Sequence, residues 1–180
     1  MQPIFMLFWN LCLLRTGPEQ MPTAGIFVAL VVAANLVLST LTALSAPMEP
    51  TFLQAASIPV VAAAVLAGAS WLVLRAKELA HRFTATFTAL MGADTIMTAL
   101  SWPLLIMASP SPDGPSTGFD WVLILAQLAL VFWWVTVAGF VFARALSVRM
   151  PQGVAIAVFV ILASLMVTGA VVPLAPPDAP

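Results

Sequence analysis

"FTATFTALMGADTIMTALSWPLLIM" (residues 83–107) is long and apolar enough to cross a bilayer, yet it carries an aspartate, Asp94, near its middle. A helix rises about 1.5 Å per residue, so roughly 20 apolar residues cross the hydrocarbon core. An ionised side chain at that depth costs at least about 2.5–3.5 kcal/mol on insertion scales. If this stretch spans a membrane, Asp94 must face protein or a wet cavity, not lipid.

The rest of the chain puts the stretch in a membrane. Of its 180 residues 62% are apolar and 7% charged, against about a quarter charged in an ordinary soluble domain. A core of this size cannot hide so much apolar surface from water. A net charge of −1 leaves no field of Lys and Arg to meet nucleic-acid phosphates. A single cysteine, Cys12, allows no internal disulfide, and a single histidine, His81, allows no transition-metal cluster. No metal or other cofactor is expected.

Five stretches have spanning length: 24–45, 53–74, 83–107, 121–143 and 154–172. Together they predict an all-α polytopic bundle over residues 23–172. An N-terminal segment (1–22) precedes it and a Pro-rich external tail (173–180) follows. The connections "APMEPT" (46–51) and "SPSPDGPSTG" (109–118) are rich in helix-ending residues.

Charge orients the predicted bundle. Arg15, Arg75, Lys77, Arg82, Arg144 and Arg149, all six basic residues, fall at one end. Glu49, Asp113, Asp120 and Asp178 fall at the other, with no Lys or Arg. Cytoplasmic retention of Lys and Arg predicts an internal N-terminus and an external C-terminus. Arginine outnumbers lysine five to one in an Ala-rich chain, a bias of GC-rich bacterial genomes, so a bacterial inner membrane is expected. Trp71 near the basic end, and Trp102 and Trp121 near the other, fit an interfacial belt. Trp133 and Trp134 fall mid-span, as bulky packing between helices or against lipid, or as a gate or the wall of an aromatic cavity.

The run from Ile4 to Leu14 is too short to span. With no basic residue before it and no small-residue cleavage site after it, it is not expected to be a cleaved signal peptide. It is predicted to lie in the interface, with Phe5, Phe8 and Trp9 among headgroups and Arg15 reaching phosphates. It is apolar almost all round, however, and the alternative is docking on the bundle or on a partner.

Asp94 is the candidate site. Thr98 and Ser101 share its face away from the basic end, while Leu90 and Phe87 share it toward that end. A polar pocket should therefore extend away from the basic end. Asn35 and Gln127 are the candidate partners in other spans, with hydroxyls such as Ser39, Thr40 and Ser57. A protonated Asp94 bonded to Asn35 or Gln127 would join helices with about 1 kcal/mol. A proton- or ion-linked site is the alternative. Arg15, Arg75, Lys77 and Arg82 are candidate contacts to lipid headgroups, and Glu78 and Arg82 are placed for an i, i+4 pair on a helical turn. Ala63 and Ala67, and Ala64 and Gly68, predict close helix packing. Pro59 and Pro103 read as helix-end punctuation. No nucleophile elbow, phosphate loop or zinc-protease motif is present, so no catalysis is expected.

With its N-terminal cytoplasmic segment, five spans, short loops and external C-terminus, the chain resembles the Yip family of small membrane proteins. "LFWNLCLLRTGPEQMP" (7–22) is similar to the apolar, proline-punctuated lead-in of bacterial members. The resemblance covers most of the chain as topology. The long cytoplasmic N-terminal region of eukaryotic members has no counterpart in these residues, so a vesicle-trafficking role is not carried over. The resemblance implies a non-enzymatic protein acting through other proteins or lipids, and it carries no functional residue across. The function expected is a scaffold or accessory subunit, partnered by the bilayer and by another membrane protein or a second copy. A small proton- or cation-linked transporter or channel using Asp94 is the alternative.

Overall fold

The computed structural model describes residues 4–45, 51–107 and 118–171. These form α1 (Ile4–Cys12), α2 (Gly25–Leu44), α3 (Phe52–Ala76), α4 (Phe83–Met107), α5 (Gly118–Leu146) and α6 (Met150–Val171). Short 3-10 turns lie at Pro18–Gln20 and Ala80–Arg82. The five helices α2 to α6 are long and apolar enough to cross a membrane, and the protein is an all-α bundle. Residues 46–50 and 108–117, which include Glu49 and Asp113, lie outside the described residues, as do Val172 and the predicted tail with Asp178.

Local chemistry sets the helix ends. At the start of α3 the Thr51 backbone N–H donates to Gln54 Oε1 at 3.1 Å, and the Gln54 N–H donates to Thr51 Oγ1 at 3.4 Å. This reciprocal cap satisfies two donors that the first turn leaves open. Helix α6 starts at Met150, earlier than the predicted 154, because Pro151 sits in the first turn, where its missing N–H costs nothing. Pro59 and Pro103 both lie inside helices and do not punctuate their ends as predicted.

Helices α1, α3 and α5 end alike. Leu14, Glu78 and Ser147 have φ of 60°, 61° and 55°. Each is followed by a residue whose N–H reaches back five positions: Arg15 to Asn10, Leu79 to Leu74 and Val148 to Ala143. This is the left-handed cap that usually takes glycine. It turns the chain out of α3 at Lys77, so the predicted helical pair of Glu78 with Arg82 does not form. The Arg82 Nη1 instead donates to the Ala145 carbonyl at 3.1 Å and to Ser147 Oγ at 3.2 Å, closing the end of α5.

Helix α4 is the centre. A third (33%) of its apolar window is buried by its own chain, against 6% for α2 and 11% for α6. It packs on α1, α2, α3 and α5. The closest helix pair is α5 with α6. A Cβ added to Gly153 would overlap the Gly139 carbonyl and lie 2.7 Å from the Ala143 nitrogen. Small residues four apart on both helices, Gly139 with Ala143 and Gly153 with Ala157, thus bring the backbones together. Of the small pairs singled out in the sequence, Ala64 and Gly68 do not, since Gly68 faces open space and Ala64 is exposed, whereas Ala63 of the other pair packs against the buried core.

Of the two placements considered for α1, the structure takes docking on the bundle, with Ile4, Phe5 and Met6 left exposed. Phe8, Leu11 and Cys12 are buried in the bundle. The Phe8 ring fills the space that a side chain on Gly92 would need and stacks on Phe27 at 6.1 Å. Trp9 meets Trp133 edge-on at 6.2 Å, and the Trp133 indole donates to the Cys12 carbonyl at 2.8 Å. Gly92 lies nine residues beyond the start of α4, which is about 13 Å along its axis. The helix therefore lies across α4 at depth. Its reason is compositional: a segment apolar all round has no face to offer water or headgroups, and α4 offers a glycine groove.

Two outcomes are expected. Gly153→Ala should lower unfolding stability in detergent by about 1–3 kcal/mol through overpacking, while Gly68→Ala should leave it within about 0.5 kcal/mol. Burial pushes the Cys12 thiol from 9.0 up to about 12. Its proton is retained in the folded state, so the stabilisation it contributes is present below about pH 9 and lost as pH rises toward 12. Native protein should therefore resist maleimide at pH 8, and Trp133→Phe, which removes the indole bond to the Cys12 carbonyl, should label several-fold faster.

Candidate functional site

Helices α2 and α4 both start at the arginine-bearing end and so run parallel. Asn35 stands ten residues beyond the start of α2 and Asp94 eleven beyond the start of α4, placing both about 15–16 Å along their axes. They meet. The Asn35 Nδ2 lies 2.8 Å from Asp94 Oδ2, 3.3 Å from Thr95 Oγ1 and 3.4 Å from the Met91 carbonyl. An amide has two N–H groups, so the three acceptors share them. The Thr95 hydroxyl donates in turn to the Met91 carbonyl at 2.8 Å, leaving its oxygen free to accept. Asn35 is 3% exposed. A second side-chain hydrogen bond to the Asp94 carboxyl comes from Trp134.

A cavity of about 240 Å³ opens beside this pair, and all five spans contribute to its wall. Asn35 and Ser39 come from α2, Leu66 from α3, Asp94 from α4, Trp134 from α5 and Ser164 from α6. Ser39 and Ser164 each stand fourteen residues beyond the start of their helices, about 21 Å along. The cavity therefore runs from Asp94 away from the arginine-bearing end, the direction expected. Leu90, 2% exposed, is part of the packed core on the other side. Pro59 lines the wall and is buried.

The predicted members divide. Asn35 is brought to Asp94. Thr98 is half-buried but does not line the cavity, and the Ser101 hydroxyl donates to its carbonyl at 3.1 Å. Gln127 is exposed. It stands nineteen residues from the arginine-bearing end of α5, about 28 Å along and some 12 Å beyond the depth of Asp94. Trp134 occupies the level that Gln127 misses. Thr95 and Ser164 were not anticipated, and matching depths from the helix starts is the signal that finds Ser164. The two mid-span tryptophans separate into the two roles considered: Trp133 packs α1, and Trp134 walls the cavity.

At the arginine-bearing end a wider groove of about 570 Å³ is lined by Glu19, Arg82, Arg144 and Ser147 among others. Arg144 pairs with Glu19 at 2.7 Å across an exposed surface. Among the predicted headgroup contacts Arg82 is engaged with the end of α5, and the Arg75 guanidinium lies 4.7 Å from the Trp71 ring centre. Arg15 and Lys77 are exposed.

Among the described residues no group of three His, Cys, Asp or Glu side chains is placed to hold a metal. Comparison with protein-family profiles, with curated proteins and with solved structures finds no match for this chain. The site is therefore read from its chemistry. One carboxyl, an amide, hydroxyls and an indole can join helices, exchange a proton or attract a cation.

A double-mutant cycle in one detergent measures the first of these. Asn35→Leu should lower stability by about 1 kcal/mol, and its coupling with Asp94→Leu should fall between about 0.6 and 1.7 kcal/mol. A coupling of zero would mean that the pair does not join α2 to α4.

Proposed function

We propose that this chain is a non-enzymatic integral membrane protein of a bacterial inner membrane, serving as a scaffold or accessory subunit for another membrane protein. The observation that carries the reading is how little of α2 and α6 the chain covers itself, 6% and 11% of their apolar windows. Both offer long apolar flanks to a neighbour in the same bilayer. The bond from Asn35 to Asp94 is compatible with it, because it ties α2 to α4 within the bundle. The resemblance to the Yip family points the same way. The positive-inside rule turns the arginine-bearing end to the cytoplasm and the C-terminus outward.

A second reading, a small proton- or cation-linked transporter or channel, is favoured by the cavity at Asp94. It predicts flux in proteoliposomes that Asp94→Asn abolishes without unfolding the protein.

Purification from native membranes after mild crosslinking should recover a stoichiometric membrane protein or a second copy of the chain. Repeated recovery of the chain alone would remove the scaffold reading. Alkaline phosphatase fused after Pro180 should be active, and the same enzyme inserted at Lys77 inactive. The reverse result would invert the orientation.

A further inference from the structure

We propose that the cavity beside Asp94 binds a small organic cation: an ammonium group carrying an apolar body. Charge selects the cation. Asp94 lines the cavity in a medium where a carboxylate's field is poorly screened. The basic residues all lie at or beyond the arginine-bearing helix ends, so none competes for it at this depth. Trp134, on the same wall, meets the Asp94 carboxyl through its side chain and so helps Asn35 to fix it.

The remaining wall selects against bare metal ions. Hard cations take about six or more oxygen ligands. Beside Asp94 only Asn35, Ser39 and Ser164 bring side-chain oxygens to the wall, while Ile58, Ala62, Leu66, Val160 and Ile161 supply hydrocarbon. Size narrows the class further. At about 30 Å³ per water, a cavity of about 240 Å³ holds roughly eight waters. That is too roomy for a lone alkali ion and below the roughly 300–1,000 Å³ of drug-sized sites.

Asn35 prepares the site. Its amide holds Asp94 Oδ2 at 2.8 Å from the α2 side, which fixes the carboxyl while leaving it further lone pairs for a ligand. An ammonium would sit at Asp94, with its body along the apolar wall toward Pro59 and Ser164, away from the arginine-bearing end. Occupancy is a question separate from both functional readings, since a bound cation need not be carried across. Binding without flux would leave the scaffold reading intact, and loss of binding would leave the partner experiment unaffected.

The test is equilibrium binding of tritiated benzyltrimethylammonium to the full chain in nanodiscs. Saturable binding at one site per chain is expected. Asp94→Asn keeps an oxygen for Asn35 and should fold, with an unchanged gel-filtration profile, yet bind about tenfold or more weakly. Trp134→Leu, which removes one hydrogen bond to the carboxyl, should weaken binding by about two- to fivefold. Asp94→Glu, which keeps the charge, should retain measurable binding. No saturable binding to folded wild type would overturn the proposal, as would undiminished binding to Asp94→Asn. Displacement by sodium at equal concentration would overturn the organic class.

Discussion

Hydrocarbon offers no hydrogen bonds, so each polar group inside α2 to α6 needs a partner within the protein. Most hydroxyls find one on their own helix. Thr40, Thr86, Thr88, Thr95 and Thr136 each donate to the carbonyl four residues back at 2.7–2.8 Å. Such bonds say nothing about which helices meet. An amide or an indole cannot turn back so easily, and these are the groups that reach across. Asn35 ties α2 to α4, Trp102 ties α4 to Ser45 at the end of α2, and Trp133 ties α5 to α1.

In lipid the hydrophobic effect does not press helices together, since acyl chains are as apolar as leucine. Close contact depends on places where backbones can approach. Gly139 and Gly153 provide one between α5 and α6, and Gly92 provides another for the Phe8 ring. The second has a wider effect. By taking up Phe8, α4 gains a cover along a face that α2, α3 and α5 leave open, and it becomes the most enclosed span. An enclosed span is where an acid is least exposed to lipid.

The five spans were legible because length and composition alone report them: a run of some twenty apolar residues has few other homes. Asn35 was legible as one of two amides in other spans that could meet Asp94. Gln127 misled because its residue type was weighed without its depth. Ala64 and Gly68 misled because small residues crowd an Ala-rich chain and spacing alone does not say which face turns inward. The placement of α1 was open in the sequence, which shows that a segment is apolar all round but not which groove receives it. Leu14, Glu78 and Ser147 could not be read as caps, since they hold a conformation that sequence rules reserve for glycine.

Magnitudes bear on why residue 94 is an acid at all. A bond between helices in a membrane contributes about 1 kcal/mol, while an ionised aspartate at mid-depth costs about 2.5–3.5 kcal/mol to insert. The bond to Asn35 does not offset that cost. Protonation lifts most of it, but a neutral acid then does little for α2 and α4 that a serine or asparagine oxygen would not do. Joining helices therefore explains why Asn35 faces residue 94, and leaves unexplained why that residue can carry charge. The cavity supplies what is missing. A group able to hold a negative charge, braced by Asn35 and set where α2, α3, α4, α5 and α6 share one wall, gains its use when a positive charge enters.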